Sequence, residues 1–333
     1  MSKTQNLQLS LACWDYDRTR AIMENRVQFD GIDLTYLNLV VEETFFRQMR
    51  HQEFDVSEMS FSSYLVSRFR SPQPFIAIPV FLSRCFRHSG IYINKNAGIS
   101  KPKDLIGKRI GCAEYQLTAN VWIRGMLEDE YGIKPSDYIT VKGGLEEPGR
   151  IEKAAVSWPP EMRVEGIGPT QTLSAMLDSG EIDAMFSPRA PSCFLKESPN
   201  VGRLFSDTFA AEKAYFEKTG VFPIMHVVAI RRELYDEHRW VAQSLFKGFV
   251  QAQRMAYDDL RETAGLKLML PWLIKHLADT EEVMGKNFWS YGLKPNIETV
   301  ARLLQYHHNQ GLSERLLDPE EIFAPETFES YKI

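Results

Sequence analysis

The sequence has few cysteines and lacks long apolar runs, and both absences exclude classes of protein. Its 333 residues include four cysteines, none in a CxxC pair. They are Cys13, Cys85, Cys112 and Cys193. Their wide spacing and apolar neighbours indicate buried thiols in a reducing compartment, rather than a disulfide framework, a metal site or a nucleophile. No run of about 18 uncharged apolar residues occurs, so no transmembrane helix is expected.

The chain also lacks a strongly basic character and an export signal. Its net charge is −5, and no run of like charges reaches five residues, so we expect no nucleic-acid partner. The first apolar stretch is interrupted by Asp15, Asp17 and Arg18, which leaves no signal-peptide core. We therefore expect a cytoplasmic protein with no membrane partner.

The common cofactor and metal motifs are absent as well. The sequence contains no HExxH, EF-hand loop, GxGxxG, GxxxxGK or GxSxG pattern. His307 and His308 are adjacent on a predicted helix and point in different directions, which makes them poor co-ligands. We expect neither a cofactor nor a protein-bound metal.

What the sequence does contain is an alternation of short apolar strands and amphipathic helices, which predicts an α/β fold with mainly parallel sheets. The predicted strands are 7–14, 32–39, 54–59, 75–82, 90–94, 138–141, 182–186 and 224–230. The predicted helices are 15–25, 41–51, 62–69, 118–130, 173–179, 240–260, 266–277 and 298–310. A stretch rich in Gly and Pro between Val141 and Thr170 is expected to form, in part, a small hairpin.

This layout of two α/β units, a return strand and C-terminal helices resembles the type II periplasmic binding proteins. The segment from Lys101 to Gly111 is similar to the stretch with which their second lobe commonly opens. The resemblance implies a two-lobed fold, each lobe a mainly parallel sheet flanked by helices, with a ligand cleft between the lobes. Lobe 1 would comprise residues 1–93 and 226–333, and lobe 2 residues 94–225.

Several segments are more specific, and they resemble the 4,5-dihydroxyphthalate decarboxylase family. They are Leu11–Thr19, Glu42–Arg47, Phe54–Ser60, Gly143–Arg150, Phe222–Val228 and Glu320–Glu326. The resemblance implies a cofactor-independent carboxy-lyase that converts 4,5-dihydroxyphthalate to protocatechuate and carbon dioxide in phthalate breakdown. Two alternatives stay open: a non-catalytic solute-binding protein for an aromatic carboxylate, and another enzyme on the same scaffold. The missing export signal favours the decarboxylase, and a homo-oligomer is left open.

Ligands of open α/β sheets bind beyond the carboxyl ends of the strands. The residues that follow each predicted strand are therefore the candidates for the ligand site. After the first strand, Trp14 or Tyr16 can wall an aromatic ring, Arg18 can clamp a carboxylate, and Asp15 is a catalytic candidate. The alternative is that Asp15 or Asp17 caps the next helix and Arg18 is solvated. After the third strand, Ser60 and the following helix start suit an anion, although plain capping explains them equally.

The fourth strand is followed by a basic cluster that consists of Arg84, Arg87 and His88. Alternation in an extended chain would place Arg84 and His88 on one face. Plain surface ion pairs would explain this cluster as well. The second lobe offers Tyr115 and Thr118 at a strand-to-helix turn, and Arg189 as a second carboxylate clamp. An arginine from each lobe would let a dianion draw the lobes together.

His226 lies in the apolar return strand. A lone histidine there is usually a core residue, but the resemblance includes this position and its ordinary pKa suits proton transfer. We therefore hypothesise that His226 or His88 protonates the ring carbon that carries the departing carboxylate. Arg18, Arg84 and Arg189 would hold the carboxylates, and a hydroxyl para to the leaving group would supply electron density to the ring.

Overall fold

The computed structural model describes residues 6–150 and 156–328, and within them the chain forms two compact units. The first unit draws on residues 1–84, 224–301 and 317–333, and the second on 85–223 and 302–316. The lobe boundaries expected from the sequence lie at 93/94 and 225/226. Residues 1–5, which enter the expectation of no signal peptide, lie outside the described residues.

Strands and helices alternate over the first two thirds of the chain, and helices dominate the rest. The strands are β1 (Leu7–Cys13), β2 (Ile32–Asn38), β3 (Val56–Ser60), β4 (Phe75–Arg84), β5 (Ile91–Asn94), β6 (Arg109–Cys112), β7 (Ile139–Lys142), β8 (Arg163–Gly166), β9 (Ala184–Phe186), β10 (Val201–Arg203) and β11 (Ile224–Arg231). The helices are α1 (Asp17–Met23), α2 (Val41–His51), α3 (Phe61–Ser67), α4 (Thr118–Tyr131), α5 (Leu173–Ser179), α6 (Ser192–Leu195), α7 (Thr208–Thr219), α8 (Arg232–Glu237), α9 (Trp240–Arg261), α10 (Leu273–Met284) and α11 (Ile297–Asn309).

The sheet of the first unit has the strand order β2-β1-β3-β11-β4. β1 pairs in parallel with β2 and β3, whereas β11 runs antiparallel to both β3 and β4. Every residue of β3 is buried, as expected for a central strand covered on both faces. Because β11 is antiparallel, its beginning lies at the same sheet edge as the carboxyl ends of β1 and β3.

The sheet of the second unit has the order β10-β5-β9-β6-β7-β8. β6 pairs in parallel with both β7 and β9, and β5 runs antiparallel to β9. The expected hairpin after β7 is wrong, because β8 pairs with β7 in parallel. Parallel neighbours need a long crossover rather than a tight turn, and the long stretch rich in Gly and Pro supplies that length.

The helix expected over 266–277 is also misplaced. α10 begins only at Leu273, after Pro271 and Trp272. Proline restricts the residue before it to extended conformations, and this explains why the helix starts after it. α7 was not among the predicted helices, although Asp207 caps the start of this helix by accepting a hydrogen bond from the Ala210 N–H (2.9 Å). Gly220 ends α7 with a positive φ, so both signals of a capped helix were present in the sequence.

Each unit has its own apolar core. In the first unit the rings of Phe61, Phe81 and Phe323 lie 6.0–6.3 Å apart. In the second unit Leu173 and Ile182 belong to a cluster of fully buried side chains between α5 and the sheet. The four thiols are free; Cys13, Cys112 and Cys193 are buried as predicted, whereas Cys85 is only partly buried. Over the described ranges, we find no helix that is both long and apolar enough to cross a membrane.

A close approach within the second unit gives a test of this packing. A Cβ added to Gly125 in α4 would lie 2.2 Å from the ring of Tyr306 in α11. We expect Gly125→Ala to lower the free energy of unfolding by about 1–2 kcal/mol, because displacing the ring outweighs the gain in helix propensity. Urea denaturation would measure the loss. Gly166→Ala is the control, because its Cβ would meet open space; equal stability of the two variants would contradict the packing.

Candidate active site

The centre of the candidate site is a buried carboxylate in β3 that contacts a histidine in β11. The Glu58 side chain is fully buried, and its Oε1 lies 2.6 Å from Nδ1 of His226. Strand pairing explains the contact, because His226 lies opposite Ser60 and Glu58 lies two residues earlier on the same face of β3. This diagonal pair is within reach of long side chains.

Two further groups from the segment after β1 donate to the same carboxylate. The Tyr16 hydroxyl donates to Oε1 at 2.7 Å, and the Trp14 backbone N–H approaches Oε2 at 3.4 Å. The Cys13 sulfur lies 3.8 Å from Oε2. Tyr36 holds this segment in place, because its hydroxyl donates to the Trp14 carbonyl at 2.7 Å.

These contacts decide the charge state of the carboxyl. Burial alone would raise the pKa of Glu58, but the charge of His226 and the hydrogen bonds from His226, Tyr16 and the Trp14 N–H outweigh it. The pKa of Glu58 is therefore lower than usual, and the group is ionised at neutral pH. Burial, followed by the charge of Glu58, raises the pKa of Tyr16, so Tyr16 remains a proton donor in this contact.

His226 itself is only partly covered. Its side chain is 16% exposed, and the Phe45 ring from α2 packs against it edge-on at 4.8 Å between ring centroids. The contact with Glu58 uses Nδ1. A carboxylate on one ring nitrogen fixes the orientation and the tautomer of an imidazole and leaves the other nitrogen for chemistry.

Several predicted residues lie around this pair. Trp14 is exposed (42%), and its ring packs edge-on against Tyr16 at 6.0 Å. Ser60 is buried beside His226 in the strand register. The Arg18 guanidinium lies between the rings of Tyr16 (4.2 Å) and Trp289 (4.3 Å). It donates to the Leu82 carbonyl at 2.7 Å and to Asp17 at 2.9 Å.

A small cavity of about 160 Å³ adjoins Arg18 within the first unit. Its lining is mostly aromatic and apolar, with Asp17, Arg18 and Gln253 as the polar members. The remaining lining residues are Ala256, Tyr257, Leu260, Phe288 and Trp289.

Two of the predicted catalytic and binding residues of the first unit have other contacts. Asp15 is exposed, and its carboxylate pairs with Arg20 at 3.3 Å. The buried Arg84 guanidinium donates to the Ser290 carbonyl (2.8 Å) and to the Asn296 side chain. Burial, opposed by Tyr291 and Tyr257, lowers the pKa of Arg84 to about 9. The structure therefore does not bring Asp15 or the head of Arg84 to the Glu58–His226 pair.

His88 belongs to the second unit and is almost completely buried. Its ring packs against Phe205 at 5.1 Å and Tyr215 at 5.3 Å. Burial lowers the pKa of His88 to about 4, so this imidazole is neutral near pH 7. A neutral imidazole in an aromatic environment is a poor source of a proton at that pH.

The remaining predicted residues also lie in the second unit. The buried Tyr115 donates its hydroxyl to the Gln310 carbonyl at 2.7 Å and packs against Trp158 at 4.3 Å. Thr118 is buried at the start of α4. Arg189 is exposed in the loop after β9. The contacts of Tyr115 are those of a core residue.

Glu58 was not among the predicted site residues, and Tyr16 was predicted only as an alternative wall for the ring. The signal for Glu58 was present, since it is the one charged residue within Val56–Ser60, and a buried carboxylate needs a partner. The signal for a contact between Tyr16 and a carboxylate was weaker, because a tyrosine after a strand fits many roles. Among the described residues, no group of three or more His, Cys, Asp or Glu side chains is arranged to hold a metal ion.

Comparisons with known proteins agree with this fold. Residues 77–156 match the family model described as NMT1/THI5 like. The structure aligns with a putative periplasmic sulfonate-binding protein from Methylobacillus flagellatus with a TM-score of 0.55, covering 96% of this chain and 92% of that one. Sequence identity is 15%, so this likeness concerns the fold alone. The predicted α/β fold of the periplasmic-binding-protein type is confirmed.

Two curated relatives are much more similar in sequence. A 4,5-dihydroxyphthalate decarboxylase from Comamonas testosteroni is 44% identical over 327 residues, which cover 98% of this chain and 99% of the relative. A protein of the same name from Pseudomonas putida is 48% identical over 210 residues, which cover 63% of this chain and 81% of the relative. The chain therefore belongs to the 4,5-dihydroxyphthalate decarboxylase family.

Proposed function

We propose that the protein decarboxylates 4,5-dihydroxyphthalate to protocatechuate and carbon dioxide, with His226 as the proton donor. The name that the two relatives share supports the reaction. The observation that carries the assignment of the donor is the contact between His226 Nδ1 and the buried Glu58. A partly exposed imidazole anchored by an ionised carboxylate is suited to general acid catalysis near neutral pH.

The proposed reaction needs one proton and no redox partner. A ring hydroxyl para to one carboxylate donates electron density, and the Nε2–H of the His226 imidazolium protonates the ring carbon that bears this carboxylate. The C–C bond to the carboxylate then breaks and its electron pair returns to the ring, which regains aromaticity as carbon dioxide leaves. The net change is replacement of one carboxylate by the proton from His226.

Glu58 supports this step by its position. Its carboxylate lies 2.6 Å from Nδ1 of His226 and accepts the proton that this nitrogen carries. It also keeps Nδ1–H directed away from the substrate side. The buried neutral His88 lacks such a partner among its described contacts, which is why we assign the proton transfer to His226.

Binding of the substrate needs cations and a ring contact. Within the first unit we propose Arg18 as the cation that orients a carboxylate, and Trp14 as the aromatic wall. Arg18 lies over two rings, an arrangement that holds the guanidinium plane in one orientation. Ser60 lies beside His226 and would donate to a substrate oxygen. Tyr115, Thr118 and Arg189 remain proposals for the second unit.

We place the enzyme in the cytosol and expect no cofactor. The four free thiols support a reducing compartment. Fractionation of the native host should recover the decarboxylase with cytosolic markers.

Turnover is the first test of the function. Purified protein treated with a chelator and incubated with 4,5-dihydroxyphthalate should release carbon dioxide and protocatechuate in equal amounts, followed by gas analysis and chromatography. Binding of the substrate without product would instead assign the protein to the solute-binding class. A requirement for added metal would contradict the cofactor-free mechanism.

The role of His226 can be tested separately. We expect His226→Asn to lower kcat by about 10²–10⁴-fold, the usual contribution of a positioned general acid, with a smaller effect on KM. The matched control is His276→Asn, a substitution at an exposed histidine of α10. Near-normal turnover of the His226 variant would remove it from the mechanism.

We further propose that the protein forms a homo-oligomer through the segment that joins α9 to α10, together with the first turn of α10. This segment exposes several large apolar side chains, including the fully exposed Met269 and Trp272 at 72%. The other members are Leu266, Leu270 and Ile274. A standard interface buries about 800 Å² per partner around an apolar centre enriched in aromatic residues and Met, and this segment has that composition.

Sedimentation velocity tests this surface. Trp272→Asp should shift the protein toward the monomer, because a buried unpaired charge opposes association. Phe209→Asp replaces an equally exposed aromatic residue of α7 outside the segment and should leave the sedimentation coefficient unchanged. An unchanged oligomeric state in both variants, or a monomeric parent protein, would contradict the proposal.

A further inference from the structure

We propose that Tyr16 is a positioning residue of the Glu58–His226 pair: by donating to the oxygen of Glu58 that contacts His226, it weakens the hold of that carboxylate on the shared proton. The inference deepens the proposed function and rests on the role given there to His226. It concerns a residue that does not need to touch the substrate, because it acts through the carboxylate.

The geometry places both strong donors on the same atom. Oε1 of Glu58 lies 2.7 Å from the Tyr16 hydroxyl and 2.6 Å from His226 Nδ1. Among the described residues, the other oxygen, Oε2, has longer contacts, at 3.4 Å to the Trp14 N–H and 3.8 Å to the Cys13 sulfur. Tyr16 therefore withdraws electron density from the atom that holds the His226 proton.

The phenol is held in this role by its surroundings. The Arg18 guanidinium covers one face of the Tyr16 ring at 4.2 Å, and the Tyr16 N–H donates to the Thr19 hydroxyl at 3.1 Å. The ring is thus fixed at the start of α1 by contacts that do not involve Glu58. Replacing the hydroxyl alone should leave the ring in place.

Among the described residues, the other titratable groups next to Tyr16 and this carboxylate include Cys13 of β1, Arg18 of α1, Tyr36 of β2 and His226 of β11. Burial, followed by the charge of Glu58, raises the pKa of the Cys13 thiol, and burial raises that of Tyr36, so both are neutral near pH 7. From α2, the uncharged ring of Phe45 packs against His226.

Loss of the Tyr16 donor should make the pair hold its proton more tightly. Without that hydrogen bond the carboxylate is a stronger base, whether the shared proton is counted on His226 or on Glu58. We expect the apparent pKa of the pair to rise by about one unit, the size expected for one hydrogen bond to a charged group. The basic limb of the pH–rate profile should move up by the same amount. The plateau kcat should fall, because the acid is weaker.

The experiment compares Tyr16→Phe with Tyr36→Phe by NMR titration of the His226 imidazole in ¹⁵N-histidine-labelled protein, with the signal assigned from the His226→Asn spectrum. Tyr36 of β2 is a matched control, because it is also a half-buried phenol next to this segment, but its hydroxyl donates to the Trp14 carbonyl and lies 3.2 Å from the Thr19 hydroxyl rather than donating to Glu58. The NMR measurement needs no substrate. It therefore stands even if the protein turns over no dihydroxyphthalate, so failure of the proposed function and failure of this inference are distinguishable.

An upward shift in Tyr16→Phe alone, abolished when Glu58→Gln is added, supports the inference. No shift, an equal shift in Tyr36→Phe, or a shift that persists with Glu58→Gln overturns it. Should Tyr16→Phe fail to fold, 3-fluorotyrosine introduced at position 16 gives the complementary test. Its hydroxyl is a stronger donor, so the pKa of the pair should fall; an unchanged or raised value overturns the inference.

Discussion

The candidate site depends on one buried negative charge. Placing the Glu58 carboxylate at the centre of a covered sheet costs several kcal/mol of desolvation free energy unless hydrogen bonds and an opposite charge offset it. The compensation comes from the ring of His226, the hydroxyl of Tyr16 and the backbone after β1. A site organised in this way joins the end of β1, the centre of the sheet and the return strand into one unit, because each contributes a donor that the carboxylate requires.

The sheet topology makes this arrangement possible. In a purely parallel sheet, the beginnings and ends of neighbouring strands lie at opposite edges. β11 is antiparallel to its neighbours, so residues near its beginning meet the ends of β1 and β3. The segments 11–19, 54–60 and 222–228, which resemble the family, converge at this edge. The residues that carry the resemblance therefore include those that form the candidate site.

Much of the fold could be predicted from sequence, because strand and helix periodicity is local. The bounds of α2 and α5 were predicted to the residue. Contacts between distant residues were not accessible in the same way: Glu58 and His226 are 168 positions apart, and only the pairing of β3 with β11 brings them together. Arg84 and His88 looked alike in sequence as polar groups after a strand. Both are buried, but their contacts differ: Arg84 donates to Ser290 and Asn296, whereas His88 lies among aromatic rings.

The position of β11 between β3 and β4 has a consequence for how the protein is made. During synthesis β4 ends about 140 residues before β11 begins, although β11 lies between β3 and β4 in the sheet. Until β11 is synthesised, the facing edges of β3 and β4 have unpaired N–H and C=O groups next to apolar side chains, which is the form in which strands associate with other chains. The sheet of the first unit therefore stays incomplete until residues 85–223 of the second unit have been synthesised. The edges of β3 and β4 therefore remain open to pairing with other chains during that interval.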